Sequence, residues 1–374
     1  MIPSTGTQAA ATGHGDFRAA FPALRRIIWL DTPAAPPAAA PVAAALQKAV
    51  ADWSSGEFDW PAWDNAIDDA RQRFACLLSV QPETVAGVGS LAEAASAVAN
   101  SLPPGRVVLG ENEFRSNLLP WQDRHEVVPV PSRDGVTRTE DLIAALDERC
   151  DLLVVSEVTT WAGERLDLPA LRAATDAVGA RLFVNLTQSC GVLPHDPAVV
   201  RADYLAVHGY KWMLCPRGAA WLVARPDRVE QLRPLSPNWH STGVPRGYFG
   251  AAALAPDASR CDSSPAWFSW VGAVAALELL TTLDPRAVEQ HCLHLAQLLV
   301  EGAADLGLTP CGSGSQIVAV RVDDPARVAH TLARRGIRAS THGDRVRFGV
   351  HYFTNDDDIH AVLNALRAAA VGPP

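Results

Sequence analysis

From about Pro41 onward the chain alternates between apolar residues at helical spacing and short runs that are apolar throughout. Helical spacing predicts helices over Pro41–Trp53 and Trp63–Leu78, the second with an apolar stripe through Ala66, Ala70, Phe74 and Leu77. The continuous runs then follow as Thr84–Val88, Arg106–Leu109, Glu126–Pro129, Leu152–Ser156, Arg181–Asn185, Tyr204–Val207 and Ala219–Val223. Helical patterns separate most of them, over Ala92–Leu102, Asn117–Trp121, Thr139–Asp147 and Pro169–Val178. Strands without a polar face, divided by helices, predict a mostly parallel seven-stranded sheet covered on both sides.

A Gly-, Pro- and Ser-rich passage from Pro234 to Pro265 interrupts the alternation. Beyond it the spacing predicts two long helices, Trp267–Leu283 and Pro285–Leu306, and then a smaller β-α-β-β-α unit. Its parts are Gln316–Val322, Pro325–Arg335, Ile337–Thr341, Arg345–Val350 and a final helix. Thr354 suits the N-cap of that helix, and Asp356, Asp357 and Asp358 suit its first turn. The expected organisation is an α/β fold with an N-terminal arm (1–40), a large domain (41–255) and a small C-terminal α+β domain (256–374).

Composition narrows the functional classes. The 374 residues are 48% hydrophobic and 20% charged, enough for a sizeable core. No apolar run reaches the ~18 residues of a membrane span, and the N-terminus lacks the basic start and apolar middle of a secretory signal. A net charge of −9 leaves no basic face for nucleic acid. Seven cysteines, scattered singly, read as reduced thiols in a cytoplasm. The lysines say most. Of 32 basic residues only Lys48 and Lys211 are lysine. Arginine serves wherever charge alone is needed, so a surviving lysine points to chemistry that needs a deprotonatable amine.

Lys211 lies in His208-Gly-Tyr210-Lys211-Trp212, just past an apolar strand, at the edge where open α/β sheets bind ligands. An amine held there suits a Schiff base with an aldehyde cofactor. Asn185, Thr187 and Gln188 end the neighbouring strand at the same edge. Gly87-Val-Gly89-Ser90-Leu91-Ala92 follows a strand and opens a helix, which makes an anion site. The same segment fits a relaxed dinucleotide pattern with Glu111 near the ribose position, so a NAD-dependent oxidoreductase stands as an alternative class. That alternative leaves Lys211 without a use. Phe114 suits stacking against a flat ring or packing in the core. His291-Cys292-Leu-His294 has metal-ligand residue types but sits inside one helix with no second cluster, so no metal is expected.

Taken in order, these segments resemble the class V aminotransferase family. These are the pyridoxal-phosphate enzymes that include cysteine desulfurases, kynureninase, isopenicillin N epimerase and ergothioneine-type C–S lyases, and the resemblance is nearest the last three. It is carried by Trp29–Pro33, Gly89–Glu93, Glu113–Trp121, Val184–Gly191, His208–Gly218 and Arg347, and covers nearly the whole chain. It implies fold type I, pyridoxal 5′-phosphate as cofactor and a homodimer with shared active sites. It places the Schiff-base lysine at Lys211, the ring-hydroxyl partner at Gln188, and the phosphate cup at Ser90 and Leu91 with His208 and Tyr210 beside it. Ser263-Ser264 falls where the family reaches the neighbouring subunit's phosphate. Arg347 matches the clamp for a substrate α-carboxylate, and Trp239-His240 resembles a substrate-facing loop.

Three departures from the family pattern shape the expected chemistry. Ile337–Asp344 contains no cysteine, so persulfide chemistry is not expected. Phe114 stands where a stacking histidine is usual and cannot move protons, which leaves Lys211, with His240 or a tyrosine, as acid and base. Asn185 stands where an aspartate normally keeps the ring nitrogen protonated, and a neutral amide weakens the electron sink. The expected reaction is β-elimination of a thiolate from a cysteine S-conjugate in specialised thiol or natural-product metabolism. Family alternatives are an aminotransferase, an epimerase, and a decarboxylating or oxidative deaminating enzyme.

Overall fold

The computed structural model describes residues 12–243 and 245–371. Residues 1–11 of the expected N-terminal arm lie outside the described residues. The remainder of the arm docks through helix α1 (His14–Ala19) and strand β1 (Ile28–Trp29). Phe17 and Phe21 are buried there, Phe17 stacked on His351 and Phe21 tilted against Phe353.

Helices α2 (Ala40–Ser55) and α3 (Trp60–Leu78) lead into the central sheet. Its strands are β2 (Val85–Val88), β3 (Arg106–Gly110), β4 (Glu126–Val130), β5 (Leu152–Ser156), β6 (Arg181–Asn185), β7 (Tyr204–His208) and β8 (Ala220–Ala224). Across the sheet the order is β2-β8-β7-β6-β5-β3-β4, and only β8 runs against the rest. Every residue of β2, β5, β7 and β8 is buried, as runs without a polar face require when helices cover both sides. The connecting helices are α4 (Leu91–Ser101), α5 (Arg115–Gln122), α6 (Thr139–Ala144), α7 (Leu168–Val178) and the single turn α8 (Pro197–Val200). Helix starts follow a repeated local rule. Asp59, Asp167, Asp284 and Asp324 each accept a backbone N–H as N-cap, with proline in the first two positions that follow.

After the Pro234–Pro265 passage, α9 (Trp267–Leu280) packs across α2 and α3, and α10 (Pro285–Asp305) leads to a second sheet. That sheet contains β9 (Thr309–Cys311), β10 (Ile317–Arg321), β12 (Ser340–His342) and β13 (Arg345–Gly349), antiparallel in the order β12-β13-β10-β9. Helices α11 (Pro325–Arg334) and α12 (Asp356–Val371) pack together beside it. No helix among the described residues is long and apolar enough to cross a membrane.

Two details depart from the sequence-based expectation. The single strand expected over Ile337–Thr341 is two, because β11 (Ile337–Arg338) pairs in parallel with the distant β1 while β12 pairs with β13. β9 was not expected, since Pro310 weakens its strand signal; as an edge strand it tolerates the missing N–H.

Long-range closure around the lysine loop depends on glycine. Gly349 donates its N–H to the Leu30 carbonyl at 2.7 Å, and Pro33 and Trp212 approach it where a side chain would stand. Gly191 has φ +103°, and a Cβ there would lie 2.5 Å from the Trp212 carbonyl oxygen, next to Lys211. Gly191→Ala should therefore destabilise the fold by about 2–4 kcal/mol, from left-handed backbone strain plus overpacking against a rigid carbonyl. Thermal unfolding measures this, and an unchanged midpoint would contradict the close approach of the two loops.

Candidate active site

The C-terminal tips of β2, β5, β6 and β7 share one edge of the central sheet, and the polar residues that end them converge there. They line a cavity of about 240 Å³ together with Phe114, Thr160 and the loop carrying Tyr210, Lys211 and Arg217. A larger hollow of about 520 Å³ near Arg172 and Arg225 contains neither lysine nor histidine. The smaller cavity holds the chemistry.

Lys211 is only 4% exposed. Its Nζ stands 5.6 Å from the ring centres of both Phe114 and Tyr210, with no hydrogen-bond partner among the described residues. Burial pushes its pKa down to about 7, helped by the positive charges of Arg347 and Arg217 and opposed by Asp31. A lysine in this state is a neutral nucleophile for an appreciable part of the time near neutral pH.

Beneath the amine, Asn185 is held in one orientation. Its Oδ1 accepts the Thr187 N–H at 3.0 Å, and its Nδ2 donates to Ser156 Oγ at 2.8 Å. Ser156 Oγ in turn donates to Glu113 Oε1 at 2.7 Å, while Glu113 Oε2 accepts the Ser156 N–H. Burial raises the pKa of Glu113, and the Ser156 and Phe114 donors partly offset that rise. Both amide hydrogens of Asn185 cannot go to Ser156, so one N–H remains for a ligand in the cavity. Thr187 Oγ1 also accepts the His208 N–H at 3.0 Å, which ties β6 to β7 at the site.

Gln188 is pinned at both ends of its amide. Trp212 Nε1 donates to its Oε1 at 2.8 Å, and its Nε2 donates to the Pro33 carbonyl at 3.1 Å. From the second sheet comes Arg347, 3% exposed, whose Nη1 donates to the Thr160 carbonyl at 2.9 Å and Nη2 to Ser340 Oγ at 3.1 Å. Its Nε has no partner. Burial lowers the Arg347 pKa to about 10 despite the favourable charge of Asp31, whose own carboxyl is raised by burial and keeps one oxygen unpaired. The guanidinium thus stays charged with donor capacity to spare.

At the other end Ser90 caps α4, accepting the Glu93 N–H at 3.1 Å, and Leu91 and Ala92 begin the helix. His208 Nε2 is buried without a partner, and burial holds its pKa at about 4. The Phe114 side chain is 41% exposed beside the cavity rather than packed in the core.

The structure therefore brings together Ser90, Leu91, Phe114, Asn185, Gln188, His208, Tyr210 and Lys211 around one cavity, with Arg347 outside its lining but close enough for its charge to act on the lysine. Three expected residues stand elsewhere. His240 is fully buried near Asp68, Arg71 and Arg246, and Trp239 packs tilted against it and against Tyr248. Ser264 is exposed outside the cavity. Sequence reasoning missed Asp31 as a neighbour of the lysine, the Glu113–Ser156 support behind Asn185, and Arg217. The arginine was legible, since it follows Lys211 in the same motif.

An aromatic face, an oriented amide, a readily deprotonated amine and an unpartnered buried imidazole beside a helix start fit a flat aldehyde carrying a phosphate. The sequence profile of the class-V aminotransferases matches residues 28–365. Among curated proteins, the "Uncharacterized aminotransferase YcbU" of Bacillus subtilis is 27% identical over 95% of this chain and 98% of its own. Isopenicillin N epimerase of Streptomyces clavuligerus is 25% identical over 80% of this chain and 83% of its own. Among solved structures, the cystine C-S lyase C-DES in complex with cysteine persulfide superposes with a TM-score of 0.83. That likeness covers 94% of this chain and 100% of the other at 21% identity, and it concerns the fold. The chain belongs to the class V aminotransferase family, and its cofactor is pyridoxal 5′-phosphate.

Burial of Lys211 has a consequence for stability. Folding lowers its pKa from 10.5 to about 7, so within that window the unfolded chain binds more protons than the folded one. The contribution of this group to stability therefore rises with pH across the window, and its penalty is greatest below it. In the cofactor-free protein, Lys211→Met should be more stable than the parent at pH 7, and the difference should shrink by pH 10. Denaturant midpoints at the two pH values measure it; parallel pH profiles would contradict a desolvated amine.

Proposed function

We propose that this class V enzyme cleaves the β carbon–sulfur bond of a cysteine S-conjugate, releasing a thiol, pyruvate and ammonia with uptake of one water. When bound, the cofactor supplies an aldehyde and an electron-withdrawing ring that stabilises negative charge at the substrate α-carbon. Arg347 anchors the substrate α-carboxylate, a bidentate task for its buried guanidinium. Phe114 packs on the ring face, and Gln188, fixed by Trp212 and Pro33, borders the ring's edge. Lys211, close to neutral at physiological pH, takes the α-proton and returns it to the departing groups.

The observation that carries the reading is Asn185. Its amide is tethered with Oδ1 occupied by Thr187 and Nδ2 by Ser156, so it offers the cavity an N–H where a carboxylate would hold a ring proton. A donor of this kind favours an unprotonated ring nitrogen and a weaker electron sink. Such a sink suits a reaction that discharges negative charge at once by expelling a leaving group, and suits transamination less. The absence of cysteine from Ile337–Asp344 argues against sulfur transfer to the enzyme.

The protein acts as a homodimer in this reading. Ser264 reaches the partner's phosphate region, and exposed aromatics such as Tyr248 and Phe249 give an apolar face for the second copy. Trp239 and the fully buried His240 lie on the loop before that face, outside the Lys211 cavity. Single, unpaired thiols suit a reducing cytoplasm, and the setting is specialised thiol or natural-product metabolism.

Incubating the holoenzyme with S-substituted cysteines should give pyruvate and free thiol in equal amounts. A keto acid retaining the whole side chain would make it an aminotransferase instead, and a D-amino acid product would make it an epimerase. Either result, without thiol release, overturns the lyase reading.

A further inference from the structure

Arg217 is a solvent-exposed cation at the rim of the Lys211 cavity. Its backbone is fixed: Ser269 Oγ donates to the Arg217 carbonyl at 2.9 Å, and the next residue, Gly218, turns the chain at φ +108°. A Cβ on Gly218 would lie 2.6 Å from that same Ser269 Oγ, so the turn requires glycine there. The guanidinium sits over the Tyr210 ring, 5.0 Å from its centre, and borders the Lys211 cavity. Among the described residues no carboxylate lies within ion-pair distance of it, and its side chain donates no hydrogen bond. What sets it apart is its place on the lining of the cavity that holds Lys211.

Its neighbours identify the missing partner. Ser90, Leu91 and Ala92 line the same cavity at the start of α4, where the first N–H groups have no intrahelical acceptor. His208 Nε2 lies buried and unpartnered there, on a residue 7% exposed. Helix start and imidazole supply directional donors but no full charge, because burial keeps His208 neutral. The Arg347 side approaches from the second sheet and is engaged with Thr160 and Ser340.

We propose that Arg217 is a ligand of the cofactor phosphate and supplies the formal positive charge of a dianion site completed by His208 and the start of α4. This rests on the cofactor and not on the reaction it serves, so binding without turnover tests it. A phosphate there also neutralises a charge that otherwise opposes protonation of Lys211.

The test uses the full chain stripped of cofactor and titrated separately with pyridoxal 5′-phosphate and with pyridoxal, followed by tryptophan fluorescence. Arg217→Met should weaken binding of the phosphorylated form by about 10- to 100-fold, the span of one charge-assisted contact, and leave pyridoxal binding within about twofold. Arg217→Lys should recover part of the loss, and retained pyridoxal binding shows that the pocket is intact. Equal losses for both ligands, or no loss for either, would overturn the assignment. So would unchanged cofactor binding with a selective loss of acidic substrates, which would make Arg217 a side-chain recognition group.

Discussion

Lys211 brings its amine into a cavity where water hardly reaches it, flanked by two guanidinium groups with one partly neutralised carboxyl in support. Holding that amine as an ammonium ion costs on the order of 5 kcal/mol relative to water. The surrounding architecture sustains this cost. β7 and β8 are buried along their whole length and clamp the loop from both ends, while Gly191 and Gly349 allow backbone and ring to close on Trp212. The result is a nucleophile made by desolvation, placed where four strand tips deliver their polar ends.

The two sheets divide the work. The central sheet carries the amine, the oriented Asn185 amide and the start of α4 at the cavity. The second sheet carries Arg347 and meets the first through Trp29–Pro33, since β1 pairs with β11 and Asp31 bridges to Gly349. A short N-terminal segment thus links Arg347 and Lys211, with Gln188 bonded to Pro33 inside the junction. Behind Asn185, the buried Glu113 and Ser156 fix the amide's polarity through three successive hydrogen bonds or backbone contacts, which a neutral residue alone would not secure.

The large sheet was legible because its strands are apolar on both faces and helical patterns separate most of them. Residues near Lys211 in sequence, or on the adjacent strand tip, were legible for the same reason: a parallel sheet gathers its C-terminal ends. Contacts made across the chain were not. Nothing local in Ile28–Trp29 announces a strand, because its partner lies at Ile337–Arg338. Asp31 reads as a loop acid until Gly349 brings it beside Arg347. Arg217 illustrates the opposite failure. It belongs to the motif already in view, but one arginine among 30 attracts no notice until the fold sets it over Tyr210 at the rim of the Lys211 cavity.

The central claim is that the buried ε-amine at position 211 bonds to the cofactor aldehyde. Borohydride reduction of the yellow holoenzyme, followed by digestion and mass mapping, tests it most directly. The account predicts a single reduced pyridoxyl adduct on the peptide containing Lys211, with Lys48 unmodified. An adduct confined to Lys48, or cofactor that remains wholly extractable after reduction, would contradict it.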